Sequence, residues 1–406
     1  MNRKDAHQSI RAEQMDIGPT VLQVIPQLES GGAEQTTLEI ARALRASGGN
    51  AIIASAGGRM VSDLESAGAT MHILPVDSKN PLVMWRNVSR LTSIIKQHDV
   101  KLVHARSRAP AWSCYFAARR CDVPFVATHH GTYGATSWIK RYYNSIMVRG
   151  ERVIANSDFI ANQISKTYHL PSDKIVVIPR GVDEQVFNRD AISAQRMMSI
   201  RHLWGIADGE KSIILAPARL TPWKGQTVLI EAVEQLLRSG RQNLICVLLG
   251  DAQGRGTYRT ELRSLIRDRR LSDVVKMPGF CNDMPAAYAV SSVVVSPAIL
   301  PEAFGRVAIE AQAMGKPVIV SDHGGARETV IDGETGWRVA PGDSKLLAQT
   351  IEKALSMSAT AEVSLSEMAQ AHVLRTYSAE QMCVKTMALY RALTDRTAAA
   401  GDKLGA

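Results

Sequence analysis

Short apolar runs alternate with stretches of helical periodicity along almost the whole chain, and this alternation restricts what the chain can fold into. In the first half the runs are "TVLQVI", "AIIAS", "KLVHA", "PFVATH", "RVIANS" and "KIVVIP", with amphipathic segments between them. Strands of this kind, separated by helices, belong to βαβ units and a parallel sheet covered on both faces. After a polar stretch from about Asp183 to Lys211 the pattern restarts with "SIILAPA", "LICVLLG", "VVKMPG", "SVVVSP" and "KPVIVSD". At 406 residues the chain exceeds one ordinary core, since a domain takes roughly 100 to 200 residues. The expectation is an α/β protein of two doubly wound domains, 18–185 and 211–375, joined near residues 185 to 210 and followed by a helical segment at 376–397. Ligands of open parallel sheets bind outside the carboxyl ends of the strands, and two such edges facing each other would form a cleft.

Composition removes several function classes. Apolar residues at 45% and charged residues at 21% fit a globular chain, not a disordered one. No apolar run approaches the roughly 18 residues of a membrane span, and the polar start "MNRKDAHQSIRAEQMD" lacks a signal peptide's apolar stretch, so a cytoplasmic protein is expected. The five cysteines are scattered, without CxxC spacing, which points to free thiols and to neither disulfides nor zinc. The net charge of +9 calls for an acidic partner. Between Lys101 and Ala155 nine basic residues face two acidic ones, Asp122 and Glu151, so the excess lies in the first half.

Five loops at predicted strand ends carry groups suited to ligands. "LESGGAE" puts Gly31 and Gly32 ahead of a helix, where backbone N–H groups can approach an anion; a plain strand-to-helix turn is the equal alternative. "ATHHGTYG" offers His129 and His130 just past a strand, with His130 the candidate to face a ligand and His129 packed beneath it. In "PARLTPWKGQ", Arg219 and Lys224 sit in a loop broken by Pro and Gly, so both can bend toward one point, as a diphosphate requires. "SDHGGARETV" repeats a Gly-Gly device, with Glu328 as a capping or contacting residue.

The fifth loop, "PEAFGRVAIE", holds Glu302 and Glu310. With a helix from about Gly305 to Met314, eight residues span about 12 Å. That is too far for a carboxylate dyad or a shared metal. It suits two ends of one extended ligand, with the N–H groups of Ala303, Phe304 and Gly305 facing an anion between them. A salt-bridged Glu310 on the helix surface is the structural alternative. No Asp-x-Asp occurs, which removes the simplest platform for a divalent ion on a diphosphate.

"PARLTPWKG", "PEAFGRVAIEAQAMGKPVI" and "GGARE", in this order, resemble the donor-binding half of the retaining, GT-B-fold glycosyltransferase family 4, and "SGGAE", "THHG" and "VIPRGVD" are similar to its acceptor-side half. The resemblance runs from about Pro19 to Leu393. It implies two Rossmann-like domains facing across a cleft, with the last helix crossing back to the first. It also implies transfer of a hexose from a UDP- or GDP-linked donor, without a metal or other cofactor. By the same resemblance Arg219 and Lys224 neutralise the diphosphate, Glu302 holds the transferred sugar, Glu310 the ribose, and His130 lies beside the reacting sugar. Gly279 and Phe280 match the base-contacting turn, and a front-face substitution is the implied mechanism. Two departures stand out: a longer Gly-rich turn in "LLGDAQGRGTY" and the His129-His130 doublet in place of one histidine.

"HARSRAPAW" with the glutamate segment is most similar to bacterial lipopolysaccharide-core and related envelope transferases. A phosphorylated glycolipid acceptor at the inner face of the membrane would then meet a basic patch of Arg106, Arg108, Lys140 and Arg141. Two rival readings are a nucleotide-sugar epimerase of similar shape and a basic nucleic-acid-binding protein. The scarcity of aromatics, at 5%, and the absence of a recognised motif speak against nucleic acid as a partner.

Overall fold

A computed structural model describes residues 18–401 except 30, 134–136, 207–210 and 253–255. The polar start, Ser30 of the first glycine loop and part of the turn after Gly250 lie outside the described residues. The chain divides at Pro179/Arg180 and again at Ala379/Glu380 into two compact units.

In the first unit seven parallel strands, β1 (Thr20–Val24), β2 (Asn50–Ser55), β3 (Thr70–Ile73), β4 (Leu102–Ala105), β5 (Phe125–His129), β6 (Arg152–Ala155) and β7 (Ile175–Val177), take the order β3-β2-β1-β4-β5-β6-β7. The order reverses beside β1, where Val21 is in register with Ala51 on one side and Leu102 on the other. Alternate residues of a strand face opposite sides of its sheet. Leu22 and Val24 accordingly join one core with Val88, Leu91 and Ala117, and Val21 joins the other with Ile40, Leu44 and Met387. Helix Pro81–Gln97 starts where Asn80 accepts from the N–H of Leu82 at 2.9 Å and Pro81 takes the first helical position. Helix Ala379–Gly401 belongs to this unit through Met382, Met387, Tyr390 and Leu393.

The second unit has six parallel strands, β8 (Ser212–Pro217), β9 (Leu244–Leu249), β10 (Val275–Gly279), β11 (Val293–Ser296), β12 (Val318–Ser321) and β13 (Trp337–Val339), in the order β10-β9-β8-β11-β12-β13. The stretch expected to be a linker is part of this unit's core. Ile192, Ile200, Trp204 and Ile206 pack with Leu215 and Tyr288, and Arg196 forks onto both carboxylate oxygens of Asp283 at 2.7 and 2.9 Å.

Candidate active site

The carboxyl ends of β8, β11 and β12 bring the sequence-picked groups of the second unit together. After β8 the chain makes a 3-10 turn at Pro222–Lys224 and passes through Gly225 at φ 74°. A Cβ on Gly225 would sit 1.9 Å from the carbonyl oxygen of Pro297, so only glycine lets this loop reach the end of β11. The N–H of Ile299 donates to the carbonyl of Trp223 at 2.8 Å, and the Gln226 side chain holds the Arg219 carbonyl at 3.0 Å.

The loop thereby delivers Lys224 to Glu302, Nζ to Oε1, at 2.8 Å. Ser296, at the end of β11, donates its hydroxyl to the same carboxylate at 3.1 Å. Lys224 also lies 4.6 Å from the ring centroid of Trp223. Arg219, expected to converge with Lys224, is exposed and forms no ion pair with a described residue.

Glu302 is fixed from behind by the Gly-Gly loop after β12. The N–H of Gly325 donates to the Glu302 carbonyl at 2.9 Å. Gly324 has φ 61°, and a Cβ there would lie 2.5 Å from that same carbonyl oxygen; one on Gly325 would lie 2.5 Å from Cα of Phe304. These glycines let two backbone segments touch, which is a different use from the ligand access read in the sequence. Phe304 is buried against Tyr377, ring centroids 5.5 Å apart, so only its backbone is left for a ligand.

Helix Arg306–Ala313 then carries Glu310. One oxygen accepts from Tyr288 Oη at 2.9 Å and the other from Arg306 Nε at 2.9 Å, one helical turn away. Burial first, and then the Glu310 charge, push the Tyr288 phenol well above its usual range, so it stays a donor. A narrow cleft at this edge is lined by Ser296, Glu302, Gly305, Ser321 and His323 among others. Gly279 ends β10 farther along the same sheet edge, and Phe280, the next residue, is exposed. Among the described residues no three His, Cys, Asp or Glu side chains are grouped to hold a metal.

The first unit holds the remaining sequence-picked residues. Gly31 precedes helix Gly32–Ala46, and its carbonyl accepts from the N–H of Gln35 at 3.0 Å. His129 closes β5, buried, its ring 4.5 Å from that of Tyr133. Burial, aided by the nearby Arg108 charge, pushes its pKa down to about 3. His130, the next residue, is half-buried. Arg108 stacks 4.1 Å above Tyr133 and donates to Asn144 at 3.1 Å. Lys140 and Arg141 are exposed on the short helix Trp138–Asn144.

Arg106 corrects the sequence reading. It is 3% exposed, donates from Nε to Gln23 Oε1 at 3.1 Å, and faces the charge of the buried Glu39. A buried charge needs partners close by, and these come from β1 and helix Gly32–Ala46, so Arg106 belongs to the interior and not to a surface patch. Tyr288, Ser296, Arg306 and His323 were missed. Arg306, four residues before Glu310, had a readable signal in its i,i+4 spacing.

A glycosyltransferase from Rickettsia africae ESF-5 superposes with a TM-score of 0.85 and is 35% identical over 93% of this chain and 98% of that one. The chain belongs to the glycosyltransferases. The model of glycosyl transferases group 1 matches residues 205–372 of this glycosyltransferase, and that of glycosyltransferase family 4 matches residues 30–186. The two parallel sheets, of seven and six strands, are those of the GT-B class. Anabaena HepE, solved in complex with UDP and glucose, shares the fold at a TM-score of 0.80 and 24% identity, over 92% of this chain and 100% of that one. The D-inositol 3-phosphate glycosyltransferase of Kineococcus radiotolerans is 30% identical over 61% of this chain and 59% of its own length. The chain thus spans about three fifths of that curated relative.

Proposed function

We propose that this glycosyltransferase moves a hexose from a nucleotide-sugar to a phosphorylated, lipid-linked acceptor, with retention at the anomeric carbon and without a metal. The observation that carries the reading is the placement of Lys224–Glu302 before one helix and Glu310 on it, at the carboxyl edge of the second sheet. In the free protein Lys224 is neutralised by Glu302. A donor diphosphate takes over the ammonium, Arg219 adds a second cation from the exposed side, and the Glu302 carboxylate is released to accept from hydroxyls of the transferred sugar. As the sugar leaves, negative charge grows on the terminal phosphate, and cations fixed there stabilise the transition state more than the ground state. The leaving phosphate then takes the acceptor's proton on the same face, so the new bond forms where the old one breaks.

Two substitutions test the division of labour. Glu310→Ala is expected to weaken free nucleoside diphosphate and intact donor alike, by roughly 1 to 3 kcal/mol, the range for hydrogen bonds involving a charged group. Glu302→Gln frees Lys224 from its partner, so nucleoside diphosphate affinity should hold or rise while turnover falls. Calorimetry with both ligands decides; loss of bare-nucleotide affinity in Glu302→Gln equal to that in Glu310→Ala defeats the assignment.

A phosphorylated acceptor is supported by the D-inositol 3-phosphate transferases among the relatives, which by name take one. The lipopolysaccharide core is the acceptor that the envelope-type resemblance favours. Support for a membrane-borne acceptor comes from helix Trp138–Asn144, where Trp138 is 78% exposed beside Ile139, Lys140, Arg141 and Tyr142. Tyr142 continues into Trp112 at 5.6 Å, with the Arg149 guanidinium 5.0 Å from the Trp112 ring. Aromatic rings interleaved with cations suit the headgroup layer of an anionic bilayer. Binding to phosphatidylglycerol vesicles should weaken with salt, each engaged cation contributing about 1 kcal/mol. Equal binding to phosphatidylcholine vesicles counts against this surface.

A further inference from the structure

His323 lines the cleft beside Glu302, and its Nε2 is shielded from solvent with no hydrogen-bond partner among the described residues. Shielded polar nitrogens are nearly always paired, so one left over at a ligand-facing edge calls for an explanation. Its neighbours do not provide one. The adjacent Asp322 carboxylate is engaged by Arg327 at 2.9 and 3.1 Å and by Arg338 at 3.6 Å. Nor is the ring free to swing far with its loop. The His323 N–H donates to the Ser321 carbonyl at 2.8 Å, and the two glycines that follow hold the backbone against Glu302 and Phe304. The backbone that carries the imidazole is therefore held against the segment that carries Glu302, and both side chains line one cleft.

Resting on the donor-site reading above, we infer that His323 is a specificity residue: its Nε2 pairs with a hydroxyl of the transferred sugar, next to those taken by Glu302. A carboxylate only accepts, whereas a neutral imidazole nitrogen can accept or donate according to tautomer. The two side chains together can thus read the direction of a hydroxyl that Glu302 alone would accept in any orientation. A hydroxyl reader rejects an analogue that lacks the hydroxyl, because its own polar atom is then left unpaired.

The experiment is calorimetry on the full chain with UDP-glucose and GDP-mannose, the corresponding nucleoside diphosphates, and analogues of the bound donor each lacking one sugar hydroxyl. His323→Ala is expected to bind the nucleoside diphosphate as the wild type does, and the intact donor about 3- to 10-fold more weakly. One deoxy analogue should bind the wild type more weakly than its parent yet bind His323→Ala no worse than the parent does, the signature of a shared contact. His323→Gln, which keeps a donor and an acceptor, should recover part of the loss and guards against a merely misfolded alanine variant. An equal loss of nucleoside diphosphate affinity, or a deoxy pattern unchanged by the substitution, overturns the inference. If the wild type binds neither sugar nucleotide, it is the donor-site reading itself that fails.

Discussion

Replacing Lys224 by alanine is expected to lower turnover by about 10²- to 10³-fold, the scale for removing one transition-state electrostatic donor. The fold should survive, because the loop that carries Lys224 is held by backbone contacts at Gly225, Trp223 and Ile299. The loss should fall mainly on turnover, since the ammonium, held by Glu302 at 2.8 Å in the free protein, would meet its greatest opposing charge only as the phosphate leaves. Arg219→Ala, which removes the second cation proposed for the diphosphate, is expected to fall in the same range. Activity of the unmodified chain should persist in EDTA. A strict Mg²⁺ or Mn²⁺ requirement, or a Lys224→Ala variant within threefold of wild type, would sink the assignment of these cations.

Acidification should begin to destabilise the first unit before its carboxylates titrate. His129 is held neutral by burial with a pKa of about 3, and burial also pushes His104 well below the ordinary histidine value. In the unfolded chain both take up protons near pH 6.5. The unfolded state therefore binds more protons below that value, and stability is full above it and lost as pH falls. Each such histidine contributes a slope of about 1.4 kcal/mol per pH unit, and His129 alone sums to roughly 5 kcal/mol by pH 3. A domain's whole stability is about 5 to 15 kcal/mol, so histidines held neutral by burial carry a sizeable share of it at neutral pH. Urea titrations between pH 6 and 5, where the acidic side chains stay ionised, isolate the effect. His129→Phe, which keeps a ring against Tyr133, should flatten the slope by about one proton; an unchanged slope would show that His129 does not hold this stability.

The strands were legible where aliphatic runs fill the middle of a parallel sheet, as "TVLQVI" does at β1 and "SIILAPA" at β8. β3 and β13 were not. They are the outer strands of their sheets, only four and three residues long, and the half-exposed "TMHI" has no apolar run to announce it. The spacing of Glu302 and Glu310 could be read because one short helix links them. The Lys224–Glu302 pair could not, because loops after two different strands make it. Arg106 shows the limit of counting charge: its partners Gln23 and Glu39 come from elements far away in sequence, and nothing near it marks it as interior.

The last helix imposes an order on how this chain can be made. His104 lies within 2.6 Å of both Tyr390 and Thr128, and the core over β1 is closed by Met382, Met387 and Leu393. A ribosome must therefore release the whole of Arg180–Ala379 before the first unit receives its final side chains. Until then a nascent sheet carries an open apolar face, and a buried histidine lacks one of its two hydrogen-bond partners. The second unit, continuous in sequence, can close first. Synthesis thus leaves the earlier-made half waiting on the later one, and a stop codon before Tyr390 would strand a finished second unit beside an unfinished first, a state open to aggregation and to chaperone capture.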